Sequence, residues 1–168
     1  MKTIIIAILF SSFIWIVNAQ IFCIGDSAKY LLAYDYIQND SVNNSKNADV
    51  SDSLVCLNIG VFWRELKSPD DGEKDLFSRM YNMYQNADFS LNLSFLKRHT
   101  NKDSKSIVFF SPVINDSILC ADLLKKKSCW EKDQYSRIAM QNRSFMYLFL
   151  FDSNGSIKSV ARKEMIYD

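Results

Sequence analysis

At 168 residues and 48% hydrophobic side chains, the chain is long enough for a compact domain with its own core and too apolar for a disordered one. Its 20 basic and 19 acidic residues give a formal net charge of +1, which removes any electrostatic reason to seek nucleic acid or an anionic membrane surface. Two prolines and four glycines leave little room for long flexible linkers.

The chain starts with Lys2, an apolar run from Ile4 to Val17 broken by Ser11 and Ser12, and Val17-Asn18-Ala19 before Gln20. This is the pattern of a cleaved export signal. The run is shorter than the roughly 20 apolar residues that span a bilayer, so no transmembrane anchor is expected after cleavage. Residues 1–19 are therefore read as a signal peptide and 20–168 as a single domain, secreted or periplasmic. Gln20-Ile21-Phe22 lacks the small residues that precede a lipidated cysteine at Cys23. Cys23, Cys56, Cys120 and Cys129 all lie beyond the cleavage point, and an even number in an exported chain permits two disulfides. The short Cys120–Cys129 spacing favours 120–129 with 23–56; free thiols in the core are the alternative.

Asp26 to Ile37 carries Ala28, Leu31, Leu32 and Ile37 near helical spacing, with Asp26 or Ser27 as an N-cap. Gln38 to Ser53, rich in Asn, Ser and Asp, reads as a surface loop. Val55, Leu57, Ile59, Val61 and Trp63 alternate as in a strand with one buried face. Ser68-Pro69-Asp70-Asp71-Gly72 is a turn leading into a second helix, where Leu76, Phe77, Met80 and Tyr84 form a stripe. Phe89, Leu91, Leu93 and Phe95 alternate with polar residues, the pattern of a half-buried strand. Ile107–Ile114 and Ile118–Leu124 flank Asn115-Asp116 as a hairpin, with Pro112 pushing the first arm towards an edge or a bulge. Phe145 to Phe151 is apolar on both faces, as in a central strand. Asp152-Ser153-Asn154-Gly155 is a turn, and Ser156 to Tyr167 returns as a last strand. The expected fold is α+β: a curved antiparallel sheet of about five to six strands, with two main helices in the N-terminal half. That order is similar to the cystatin-like and NTF2-like arrangements; the likeness is one of architecture and implies no function.

No nucleophile elbow, zinc-protease helix, phosphate-cradling glycine loop or dinucleotide fingerprint is present. His99 stands among Lys97, Arg98 and Lys102 and reads as a solvated histidine. With no Cys-x-x-Cys and one histidine, no metal site is expected, and no cofactor is implied. Asp70, Asp71 and Glu73 are explained by turn and helix-start chemistry, and the Asp152 segment by a hairpin rather than a calcium loop. Lys125-Lys126-Lys127 reads as a solvated loop. The candidate ligand residues are Asn58, Gly60 and Phe62, on the mixed face of the Val55–Trp63 segment, where Gly60 leaves space and Asn58 offers a directional hydrogen bond. Asn-x-Ser triplets at Asn39, Asn43, Asn92, Asn115, Asn142 and Asn154 would accept glycans in a eukaryotic secretory pathway. The Ile-, Lys- and Asn-rich style equally fits an exported protein of an AT-rich bacterium. The reading is a small non-catalytic extracytoplasmic binding or interaction domain for a protein or small-molecule ligand. An exported carboxylate-dependent hydrolase and a secreted signalling ligand are the alternatives.

Overall fold

The computed structural model describes residues 25–43, 45–67, 78–79, 82–85, 87–101, 103–126 and 134–167. Its centre is a five-stranded sheet in the order β1-β2-β3-β4-β5, with β1 Asp49–Val50, β2 Ser106–Phe110, β3 Ile118–Lys125, β4 Arg143–Phe151 and β5 Ile157–Ile166. The last four strands form an antiparallel meander. β1 pairs with β2 in parallel, so the sheet is mixed and not antiparallel throughout. Residues 51–105 separate the two strands, ample length for the crossover that a parallel pair needs. Nor is the sheet notably curved. Bulges bend sheets, and the one register shift in the β4–β5 pair falls at the tip, at Leu150/Phe151.

The strand alternation within β4 is plain in the sequence. Phe145, Tyr147, Phe149 and Phe151 point to one face, and Met146, Leu148 and Leu150 to the other. Tyr147 stacks on Phe149 at 6.1 Å, and Phe149 on Phe151 at 6.5 Å. β3 and β5 pair with the two edges of β4, and side chains on both of its faces are buried, as a central strand requires. The β2–β3 hairpin closes through Asn115 and Asp116, both at positive φ (48° and 55°), the backbone of a tight hairpin turn. β2 itself stops at Phe110, two residues short of Pro112. In the β4–β5 turn Gly155 sits at φ 77°, and the Asp152 carboxylate accepts from the Asn154 and Ser156 N–H groups.

Helix α1, Gly25–Asn39, packs on the aromatic face. Its helical character follows the sequence; its buried residues are Lys29, Tyr30, Ala33, Tyr34 and the expected Ile37, with Leu31 packed beside them, while Leu32 is exposed. Tyrosines win this face because their hydroxyls reach backbone carbonyls that would otherwise lie buried and unmet. Tyr30 donates to Ser111 O at 3.1 Å, and Tyr34 donates to Ala48 O at 2.7 Å. Burial pushes the Tyr34 hydroxyl up to about 12, so it stays a donor.

Two expected strands are not strands. Ser51 and Val55 donate to Val108 O and Phe110 O, so the chain, bent at Asp52 and Ser53, stays beside β2 as far as Val55. The Asn58 side chain then accepts from Gly60 N–H and starts a 3-10 turn, Ile59–Phe62, followed by a short helix α2, Trp63–Leu66. Burial then changes period: Leu57 and Ile59 are buried, and the next buried residue is Phe62, while Trp63 is exposed. In the same way Asn92 caps a 3-10 helix, Leu93–His99, with its side chain accepting from Ser94 N–H. Leu93 and Leu96, three apart, are its buried pair. Of the second helix, Leu76, Phe77 and Met80 lie outside the described residues.

The sheet therefore has α1 and the Leu93–His99 turn on one face. The Leu57–Phe62 segment and α3, Tyr135–Ala139, lie on the other. Lys163 fastens the second layer, donating to Val61 O and Glu65 while lying over the Phe62 ring at 5.0 Å. No described helix is long and apolar enough to cross a membrane.

Candidate functional site

A cleft of about 440 Å³ opens at one end of the sheet, where β2 begins, β3 ends and β4 begins. Leu123 and Phe145, paired across β3 and β4 on the α1 face, are its apolar base. Ser106, Lys125, Arg143 and Glu164 stand on the strand ends around it. The loop after α1 closes one side with Asn43 and Ser45, and the turn after α3 closes the other with Gln141 and Asn142. Size and mixture suit a small polar molecule.

Both side walls are held by hydrogen bonds. Asn43 is buried; its amide donates to Ile37 O at 2.7 Å and to the Tyr147 hydroxyl at 2.9 Å. Tyr147 in turn donates to Asp40 at 2.9 Å, and Arg162 donates to the same oxygen at 2.6 Å. Burial raises the Asp40 pKa, but donation from Arg162, the Val42 N–H and Tyr147 outweighs it and holds the carboxyl below its usual range. Burial pushes the Tyr147 hydroxyl up to about 12. Ser45 and Ser106 meet at 3.1 Å across the base of this wall. Opposite, the Asn142 amide donates to Lys125 O at 2.8 Å and Ile138 O at 2.9 Å, while Gln141 turns the chain at φ 53°.

The rim, by contrast, is loosely committed. Arg143 and Glu164 stand 3.9 Å apart with most of each side chain in solvent. Lys125 is exposed and has no carboxylate partner among the described residues, whereas Lys126 is drawn inward to the buried Asp49 at 2.6 Å. The basic run is thus not one solvated loop: one lysine faces the cleft, one closes a buried pair, and Lys127 lies outside the described residues.

The residues singled out from sequence do not meet there. Asn58 is exposed and its side chain caps the 3-10 turn; Gly60 is half-buried inside that turn; Phe62 is buried beneath Lys163. They lie together in the 3-10 turn on the far face of the sheet. Cys56 and Cys120 carry free thiols, Cys56 exposed and Cys120 buried. Their expected partners, Cys23 and Cys129, lie outside the described residues. Burial, with Asp122 beside it, pushes the Cys120 thiol up to about 12, so it stays protonated. His99 is exposed and contributes only its carbonyl, which accepts from Tyr34. Asp70, Asp71 and Glu73 lie outside the described residues. Among the described residues no three His, Cys, Asp or Glu side chains converge as a metal site would need.

Sequence reasoning missed the cleft because its parts come from five separate stretches. One signal was readable: the polar residues Ser106, Lys125, Arg143 and Ser144 all sit at ends of apolar strands. No protein-family model matches the chain, and neither a curated protein nor a solved structure matches it.

Proposed function

We propose that this chain is an exported, non-catalytic binding domain whose cleft takes a small, hydroxyl-rich carboxylate such as a sugar acid. The observation that carries the reading is the pair of cationic side chains at the rim of a cleft with an apolar base: Lys125, with no carboxylate partner among the described residues, and Arg143, held only loosely by Glu164 at 3.9 Å. A ligand carboxylate meets Arg143 in a bidentate fork and replaces Glu164 at a distance shorter than the present 3.9 Å. Glu164 and Gln141 then face ligand hydroxyls, and Leu123 with Phe145 takes the apolar side of the ring. Export is supported by the charged, apolar and small-residue sequence of positions 1–19. A hydrolase of the carboxylate type needs two acids converging in one cleft, and the described lining offers Glu164 alone.

Titration calorimetry with glucuronate, glucose and inorganic phosphate tests the ligand class. Glucuronate is expected to bind and glucose to bind at least tenfold more weakly, and the Lys125→Ala/Arg143→Ala variant is expected to lose the difference. Equal binding of all three, or turnover of glycan, peptide or ester substrates by the purified protein, contradicts the reading. Intact mass of the exported protein tests the cleavage after Ala19.

A further inference from the structure

We infer that Asp122, with Tyr135 and Tyr167, is a protonation-controlled latch that sets how tightly the α3–Asn142 wall is held against the sheet. Asp122 lies in the middle of β3 and is fully buried. One of its oxygens accepts from the Tyr135 hydroxyl at 2.9 Å and the Tyr167 hydroxyl at 2.7 Å, and the two hydroxyls are themselves 3.0 Å apart. Tyr135 opens α3, and the Tyr167 N–H donates to Asn142 O just beyond it. Asn142 also reaches back to Lys125 O and Ile138 O. A single carboxyl therefore ties β3, α3, the chain end and one cleft wall together.

The wiring is incomplete in a telling way. The other Asp122 oxygen and the Ser144 hydroxyl are both buried without a hydrogen-bond partner. The groups facing the carboxyl are Cys120 from β3, Tyr135 from α3, Ser144 from β4, and Tyr167. Phe109 lies opposite on β2, and Met146 on β4. Lys163 of β5 is on the same face two strands away, but its ammonium is engaged by Val61 O and Glu65. None of the described groups gives the ionised carboxyl a cation, so its charge is costly in the core. Burial pushes its pKa up, and the hydrogen bonds donated by Tyr167 and Tyr135 offset only part of that.

The sign follows from linkage: a carboxyl that binds its proton more readily when folded favours the closed latch at low pH. The latch is complete below the unfolded carboxyl's value and weakens as pH rises through the folded one. Hydrogen-exchange protection factors over residues 135–142 of the full chain, from about pH 3 to about pH 8, bracket the usual carboxylate range. The wild type is expected to lose protection in one step as pH rises. Asp122→Asn is expected to be flat, since an amide fills the site without charge. Tyr167→Phe removes a donor to the ionised form and is expected to move the step to higher pH. A wild type without a step, or an Asp122→Asn step of wild-type size, overturns the latch. So does a Tyr167→Phe step unmoved or moved to lower pH, which keeps the test open should Asp122→Asn fail to fold.

Discussion

Asp40 gathers three donors, the Arg162 guanidinium, the Tyr147 hydroxyl and the Val42 N–H, at the point where the chain leaves α1. Its depressed pKa fixes the direction of its contribution: the stabilisation is present above the unfolded carboxyl's value and is lost as pH falls through the folded one. Asp40→Asn is expected to cost about 1–3 kcal/mol at neutral pH, the range for losing a charged partner from a buried network. The difference from wild type should shrink as pH falls below about 4, where the carboxyl of the unfolded chain takes up its proton. Urea denaturation of both proteins across that range checks it. Asn43 shows why such positions escape a linear reading. As Asn in an Asn-rich loop it looks solvated, yet it is 6% exposed because Ile37 O and Tyr147, remote in sequence, need its donors.

At the scale of elements, what the sequence made legible was whatever repeats with a period of two and ends in a turn with special φ. β4 and β5, the β2–β3 hairpin and the turn at Gly155 all have this form. Phe149→Ala is expected to cost about 3–5 kcal/mol, because the ring is fully buried between Tyr147 and Phe151 and the strand cannot collapse around the void. Gly155→Ala, with φ at 77° and open space around its Cβ position, is expected to cost about 1–2 kcal/mol from backbone strain alone. Thermal unfolding of both variants separates packing from strain, and a smaller loss for Phe149→Ala than for Gly155→Ala would contradict the placement of the core. Alternation misled where a polar residue could cap. Asn58 and Asn92 each turn an extended run into a 3-10 helix, and hydrophobic pattern does not carry that choice. On α1, Ile37 and Leu31 face the core but Leu32 does not, and Tyr30 and Tyr34 bury deeply because Ser111 O and Ala48 O are placed to receive them.

For the molecule as a whole, the α+β character and the strand-rich second half follow from the sequence, while the parallel β1 does not. A two-residue strand has no periodicity, and its partner Ile107–Val108 lies more than fifty positions away. The cleft is a property of the assembled sheet in the same sense: strand ends, the loop after α1 and the turn after α3 meet there only once the register is set. Glucuronate titrated into the isotopically labelled full chain, followed by amide NMR shifts, tests the central claim most directly. Shifts concentrated at Ser106, Lys125 and Gln141–Phe145, and absent in Lys125→Ala/Arg143→Ala, are the expected result. Saturating shifts centred instead on Asn58, Gly60 and Phe62, or no saturable shifts at all, would contradict it.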